Sequence, residues 1–214
     1  MQKMGVAASK PDFFFADEAL ATAIKHCDFD TVLDVGSGGG KHADAFEENG
    51  KRVTCIDYGK SIYFKQVSST RTEIVADYLT YEFEEPFDLL WASHVLEHQP
   101  NPNIFLKKMH QDIKEGGWLV VTVPPLKHEI VGGHVTLWNA GLLLYQLIMA
   151  GFNCKNAWIK SYGYNISVIV QKKTIKEMPE LAFDSGDIDR LGDYFPDGLT
   201  ERFDGAIKNL NWPE

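Results

Sequence analysis

The stretch "LDVGSGGGKH", Leu33 to His42, decides how the chain is read. It begins inside an apolar run, "TVLDVG" from Thr31 to Gly36, of the kind that forms a buried strand. It ends where a polar segment, Lys41 to Asn49, predicts a helix with Ala43, Ala45 and Phe46 inward and Gly50 as its stop. Between the two, Gly36, Gly38 and Gly40 make a turn that lets the backbone approach a ligand closely. The helix start adds unpaired N–H groups. Alone, such a turn is a weak signal. The next strand, "RVTCID", ends in Asp57, about 20 residues further on, where a carboxylate can bind ribose hydroxyls. The pair predicts a nucleoside site.

The glycine spacing narrows the ligand. A dinucleotide site wants G-x-G-x-x-G, and counting from Gly36 the third glycine position holds Lys41. Asp34 lies two residues before the first glycine. A carboxylate there suits a cationic, amine-bearing ligand and repels a pyrophosphate.

Working outward, a helix is expected over Ala16 to His26, after a turn at Lys10-Pro11-Asp12, and further strands over Glu73 to Asp77 and Phe87 to Ser93. Pro102 to Ile113 reads as a helix that Gly116-Gly117 ends, and Trp118 to Val123 as the fifth strand. Asn139 to Ala150 is helical and apolar nearly all round. Two last strands, near Ala157 to Lys160 and Ile166 to Gln171, flank a turn at Gly163. Strands alternating with helices predict an α/β, Rossmann-like, seven-stranded, mostly parallel sheet with helices on both faces. The main domain is placed at 1–173, with a cofactor half over about 29–123 and a substrate-side connection over 124–138. Residues 174–214 are turn-rich and acidic but carry Phe183, Phe195, Phe203, Ile207, Leu210 and Trp212, so an ordered C-terminal extension is expected, packed on the body or on a second subunit.

The bulk numbers fit an ordinary globular chain: 214 residues, 44% hydrophobic, 24% charged. A net charge of −9 argues against a nucleic-acid partner, which needs a concentrated basic surface. Three widely separated cysteines, Cys27, Cys55 and Cys154, read as free thiols in a reducing compartment. The N-terminal stretch lacks the apolar run of a signal peptide, and the most apolar segment, Leu142 to Phe152, is too short to cross a bilayer. A cytoplasmic location with no membrane partner is the expectation.

"LDVGSGGG", "VTCIDYG", "VADYL" and "FDLLWASHVLEHQPNPNIFL", in that order, resemble successive motifs of class I S-adenosylmethionine-dependent methyltransferases. The resemblance runs over roughly Phe29 to Lys172. It implies S-adenosyl-L-methionine as cofactor, with Asp34, Gly36, Ser37, Gly38 and Gly40 facing its methionine part. It further implies that Asp57 holds the ribose hydroxyls, with Tyr58 beside the adenine. Asp77 would meet the adenine amino group, Tyr78 would flank the ring, and Ser93 and His94 would border the methionine and the transferred methyl.

"SHVLEH", Ser93 to His98, has the H-x-x-E-H spacing of one kind of zinc peptidase. That chemistry needs a long helix, whereas this stretch closes a strand and breaks at Pro100, so the peptidase reading fails. Some related quinone-pathway O-methyltransferases hold a divalent ion on this turn, which makes His94, Glu97 and His98 a candidate metal set, although such turns also occur without metal.

Because a sulfonium methyl is already activated, the enzyme must mainly align an acceptor and, for some acceptors, remove a proton. His94, His98, His128 and His134 are the candidate bases, with His134 preferred and His98 second. His128 and Trp138 are candidate substrate-side residues on the connection, and Gly132-Gly133 give it a hinge-like character. The expected function is methyl transfer to an oxygen, or a nitrogen, of a small molecule such as a metabolite, sugar or nucleotide-linked intermediate. The rivals are a protein-modifying methyltransferase and a non-catalytic S-adenosylmethionine-binding module. A homodimer through the C-terminal extension is a candidate assembly.

Overall fold

The computed structural model describes residues 15–65 and 71–214, so the turn expected at Lys10-Pro11-Asp12 lies outside the described residues. The chain runs α1 (Asp17–His26), β1 (Thr31–Val35), α2 (Lys41–Glu48), β2 (Arg52–Asp57), β3 (Thr72–Val75) and β4 (Phe87–Ser93). It continues through α3 (Pro102–Asp112), β5 (Ile113–Val123), α4 (Ala140–Met149), β6 (Trp158–Tyr162), β7 (Asn165–Gln171), α5 (Asp187–Arg190) and β8 (Asn209–Leu210). The sheet order is β3-β2-β1-β4-β5-β7-β6-β8, parallel from β3 to β5, with β7 antiparallel to β5 and to β6. The α/β class and mostly parallel sheet are as the sequence implies. The strand count is not: β8, two residues long, pairs antiparallel with β6 and makes an eighth strand.

Alternation along each central strand explains the layers. Val32, Leu89, Trp91, Val120 and Ile169 point to one face and pack with Ala19 and Ala23 of α1 and Ala43 and Phe46 of α2. Leu33, Leu90, Ala92, Leu119 and Val121 point to the other, against Phe105 and Met109 of α3 and Leu143, Leu144 and Leu147 of α4. The second core also takes Leu191 and Phe195, both fully buried, from the C-terminal segment.

β5 corrects one expected boundary. It starts at Ile113, with Gly116-Gly117 inside the strand rather than ending the helix before it. The pairing with β4 shifts register between Phe87 and Leu89, and Gly116 takes φ +81° to absorb the irregularity. A Cβ on Gly117 would lie 2.7 Å from the Asp88 carbonyl oxygen, so only glycine fits there.

Strand order reverses between β1 and β4, so their C-terminal ends open a crevice at the topological switch point. Both the glycine turn and "SHVLEH" emerge there.

Candidate functional site

The glycine turn leaves β1 as the sequence predicts. Gly36, Gly38 and Gly40 all adopt positive φ. At Gly36 (φ +74°) a Cβ would come within 2.3 Å of the Val95 side chain, so the close approach of β1 and the turn after β4 requires glycine. Asp57 braces the same turn. Its Oδ2 accepts the Gly38 N–H (2.9 Å) and its Oδ1 the Gly59 N–H (2.8 Å). A carboxylate oxygen has two lone pairs, so acceptor capacity remains for hydroxyl donors. This brace was not foreseen from the sequence, where Asp57 stood only as a ligand group. Ser37 lies beside the Cys55 thiol. Burial pushes Cys27 and Cys55 up to about 12, and all three cysteines are buried and free, so none is poised as a thiolate.

Asp34 is 1% exposed, and its Oδ2 has no hydrogen-bond partner. Burial raises its carboxyl to about 7, opposed by Arg71 and reinforced by Asp57. Trp91 Nε1 and Ser93 Oγ, on the neighbouring strand, are buried and unpartnered too. Asp34 and Trp91 sit opposite each other in register and share a face. Buried polar atoms in native folds are nearly always paired. An unpartnered buried carboxylate oxygen at the foot of the glycine turn complements a ligand ammonium.

At the rim, Tyr58 is 59% exposed beyond the end of β2, and Asp77 is exposed past β3, its Oδ1 accepting the Leu79 N–H at 3.0 Å. Tyr78 departs from its expected place beside the adenine. It is buried in the core against Phe105, and its hydroxyl donates to Asp112 Oδ2 at 2.7 Å, with Lys108 pairing the same carboxylate. The aromatic next to Asp77 therefore serves packing.

"SHVLEH" forms no long helix: β4 ends at Ser93, His94 takes φ +55°, and Leu96–His98 is a single 3₁₀ turn. Glu97 is fully buried, and neither carboxylate oxygen has a hydrogen-bond donor; His94 Nδ1 lies 3.4 Å and His98 Nε2 3.7 Å from Oε1. His98 Nδ1 sits 2.8 Å from the Gly133 carbonyl oxygen, which can only accept, so Nδ1 carries a proton and Nε2 faces Glu97. His134 completes a group: Glu97, His98 and His134 bring one ligand atom each within 4.8 Å of one another. His134, not His94, is the third member. His94 Nε2 instead meets Asn165 Oδ1 at 2.9 Å.

The connection between β5 and α4 is stapled to this turn. The Glu97 carbonyl accepts the N–H groups of Val135 and Thr136, and Trp138 Nε1 donates to Thr136 Oγ1. Leu126 N–H reaches the Trp138 carbonyl, closing the connection into a loop. It borders a shallow recess whose lining includes Pro124, Lys127, Ile130, His134, Trp138 and Tyr164. His128 is exposed and is not among the lining residues, so the structure does not bring it to the site. Desolvation lowers the pKa of His134 from its ordinary value, with His98 and His94 adding to it and Glu97 opposing.

Comparison with known proteins bears on the fold that carries this geometry. Residues 33–121 match the family described as "Methyltransferase domain". A ubiquinone biosynthesis O-methyltransferase of Pseudomonas syringae pv. tomato is 36% identical over 94 residues, 40% of this chain and 40% of that protein. The chain thus spans less than half the length of the curated relatives it matches. Among solved structures, the 1,6-didemethyltoxoflavin-N1-methyltransferase of Burkholderia thailandensis, with S-adenosylhomocysteine bound, superposes with a TM-score of 0.61 at 20% identity, covering 74% of this chain and 78% of that one. The N-methyltransferase NodS of Bradyrhizobium japonicum, also with S-adenosylhomocysteine, gives 0.57 at 17% identity, covering 72% and 84%. At these identities the likeness is one of fold.

Proposed function

We propose that this chain, whose residues 33–121 are a methyltransferase domain in the class I S-adenosylmethionine-dependent fold, transfers a methyl group from S-adenosyl-L-methionine to an oxygen of a small acceptor. The observation that carries the reading is the buried, unpartnered Asp34 Oδ2 at the foot of the glycine turn. A charge-bearing carboxylate left without a donor is costly unless a cationic ligand meets it. Asp34 and the glycine turn would hold the amino-acid end of the cofactor, Asp57 its ribose hydroxyls, and Tyr58 and Asp77 its base. The cofactor supplies a methyl group activated by the sulfonium. The similarity to O-methyltransferases favours oxygen over nitrogen as acceptor.

This chain's own residues then hold the acceptor and take its proton. The recess that Trp138 and Tyr164 help to wall would orient it. The acceptor hydroxyl's proton would pass to His134, with His98 the second candidate, as the methyl leaves the sulfonium sulfur for the acceptor oxygen and a neutral thioether remains. The lowered pKa of His134 keeps its imidazole unprotonated at neutral pH, as a base must be. His134→Ala is expected to lower kcat by roughly 10²-fold or more with cofactor affinity nearly unchanged, and His98→Ala is the control. A mutant with full kcat removes His134 from the role. Scintillation assays over metabolite and peptide acceptors separate this reading from a protein-modifying enzyme and from a non-catalytic binding module.

A second reading rests on the converging Glu97, His98 and His134. A carboxylate and two imidazoles suit a divalent cation, and His98 donates its other ring N–H to a backbone carbonyl, as metal-bound histidines do. His134 would then be a ligand and not the base. Chelation decides: the base reading expects full turnover in EDTA, the metal reading its loss and recovery on adding metal.

A further inference from the structure

We propose that Asn165, the first residue of β7, is a positioning residue that latches the chain segment entering α1 to the orientation of His94. The inference rests on the proposed methyl transfer, in which the family resemblance puts His94 beside the transferred methyl. Asn165 is 5% exposed, and its Oδ1 lies 3.3 Å from the Ala16 backbone nitrogen and 2.9 Å from His94 Nε2. A backbone N–H can only donate, so the atom facing Ala16 is the amide oxygen. The same oxygen can only accept, so His94 carries its proton on Nε2 and turns Nδ1 toward Glu97. One side-chain oxygen therefore sets both the tautomer of His94 and the seat of the entering segment.

Backbone strain converges on the same atom. Among the described residues five non-glycine residues have positive φ, and two of them, Ala16 (+59°) and His94 (+55°), are the two partners of Asn165 Oδ1. Left-handed backbone at such residues persists only where the surroundings over-determine it, and it clusters at functional sites. The surroundings here are dense. The His94 ring lies between Phe15 (centroids 4.4 Å) and Tyr164 (6.0 Å, nearly parallel), while His42 Nε2 meets the Phe15 carbonyl oxygen at 2.7 Å. Lys127, from the connection over the recess, sets its ammonium 4.5 Å from the centre of the Tyr164 ring. The tip of the β6–β7 hairpin thus touches the entering segment, the histidine after β4 and the connection that encloses the recess.

The test compares Asn165→Leu, similar in size but without an acceptor, with Asn165→Asp, which keeps one. Nitrogen NMR of histidine-labelled protein reads the His94 tautomer, and hydrogen exchange reads the Ala16 amide, both without substrate. The wild type and Asn165→Asp should show the Nε2–H form and a protected Ala16 amide. Asn165→Leu should lose both signals together and lower kcat by about 10- to 100-fold, the cost of a misplaced group at a reacting centre, with kcat largely recovered in Asn165→Asp. A wild-type His94 protonated at Nδ1 alone overturns the latch whether or not any variant folds. So does a folded Asn165→Leu that keeps either signal, or that loses both at full kcat. Failure of the wild type to bind S-adenosylhomocysteine would instead count against the proposed function, since both signals are read on the protein alone.

Discussion

At Asp34 a burial cost and the proposed cofactor contact fall on one side chain. Its carboxyl is raised by burial to about 7, from an ordinary value near 3.8. Below about pH 4 it is protonated in both folded and unfolded chains and costs nothing. Between about pH 4 and 7 the unfolded chain ionises freely while the folded chain keeps its buried proton, so stability falls across that window and is fully lost once pH has risen through 7. Asp34→Asn should therefore raise the thermal stability of the ligand-free protein at pH 8, by up to a few kcal/mol on this order-of-magnitude reasoning, and change little near pH 4. The same change should weaken cofactor binding; melting curves at the two pH values with and without S-adenosylhomocysteine check both signs. At His134 the direction is opposite. Its lowered pKa should place the acid limb of kcat/KM below the ordinary imidazole value of about 6.5, and His134→Ala should remove that limb. Asp34, Gly36 and Asp57 were legible in the sequence because strand, turn and helix leave them one place to go. Asn165 was not, since its role arises only when three distant segments meet, and nothing local showed that His134 rather than His94 would join Glu97 and His98.

At the scale of elements, the strands that end at glycine or acid punctuation were read closely, and Arg52–Asp57 and Phe87–Ser93 match residue for residue. Gly116-Gly117 misled because a glycine pair that ends a helix and one that absorbs a bulge look alike in sequence; Lys172, whose N–H and carbonyl pair with Gly117 and Gly116, decides between them from 55 residues away or more. Tyr78 misled for a similar reason, as an aromatic beside an acid fits both a ligand rim and a core. Its hydroxyl ties the turn after β3 to Asp112 at the end of α3. Tyr78→Phe leaves the ring and removes that bond, so unfolding free energy should fall by about 1–3 kcal/mol while affinity for S-adenosylhomocysteine stays the same. An affinity loss without a stability loss would return Tyr78 to the cofactor rim.

Across the whole molecule, the C-terminal segment is woven into the body. Phe195 is fully buried beside Phe203, β8 extends the sheet edge, and the Ser161 hydroxyl donates to the Ile207 carbonyl. Its apolar residues were visible in the sequence, but a two-residue strand has no periodicity to read. Phe195→Ala should cost about 3–5 kcal/mol in a denaturant titration, as for other buried aromatics. In the proposed function the sheet, the switch-point crevice and the brace between Asp57 and Gly38 serve one end, the binding of an S-adenosyl cofactor. Titration calorimetry of S-adenosylhomocysteine into the wild type and into Asp57→Ala measures that binding directly. Saturable binding is predicted, weaker by about 1.5–3 kcal/mol in the folded mutant, with NAD binding far less tightly. Unchanged affinity in Asp57→Ala, or NAD binding tighter than S-adenosylhomocysteine, would contradict it.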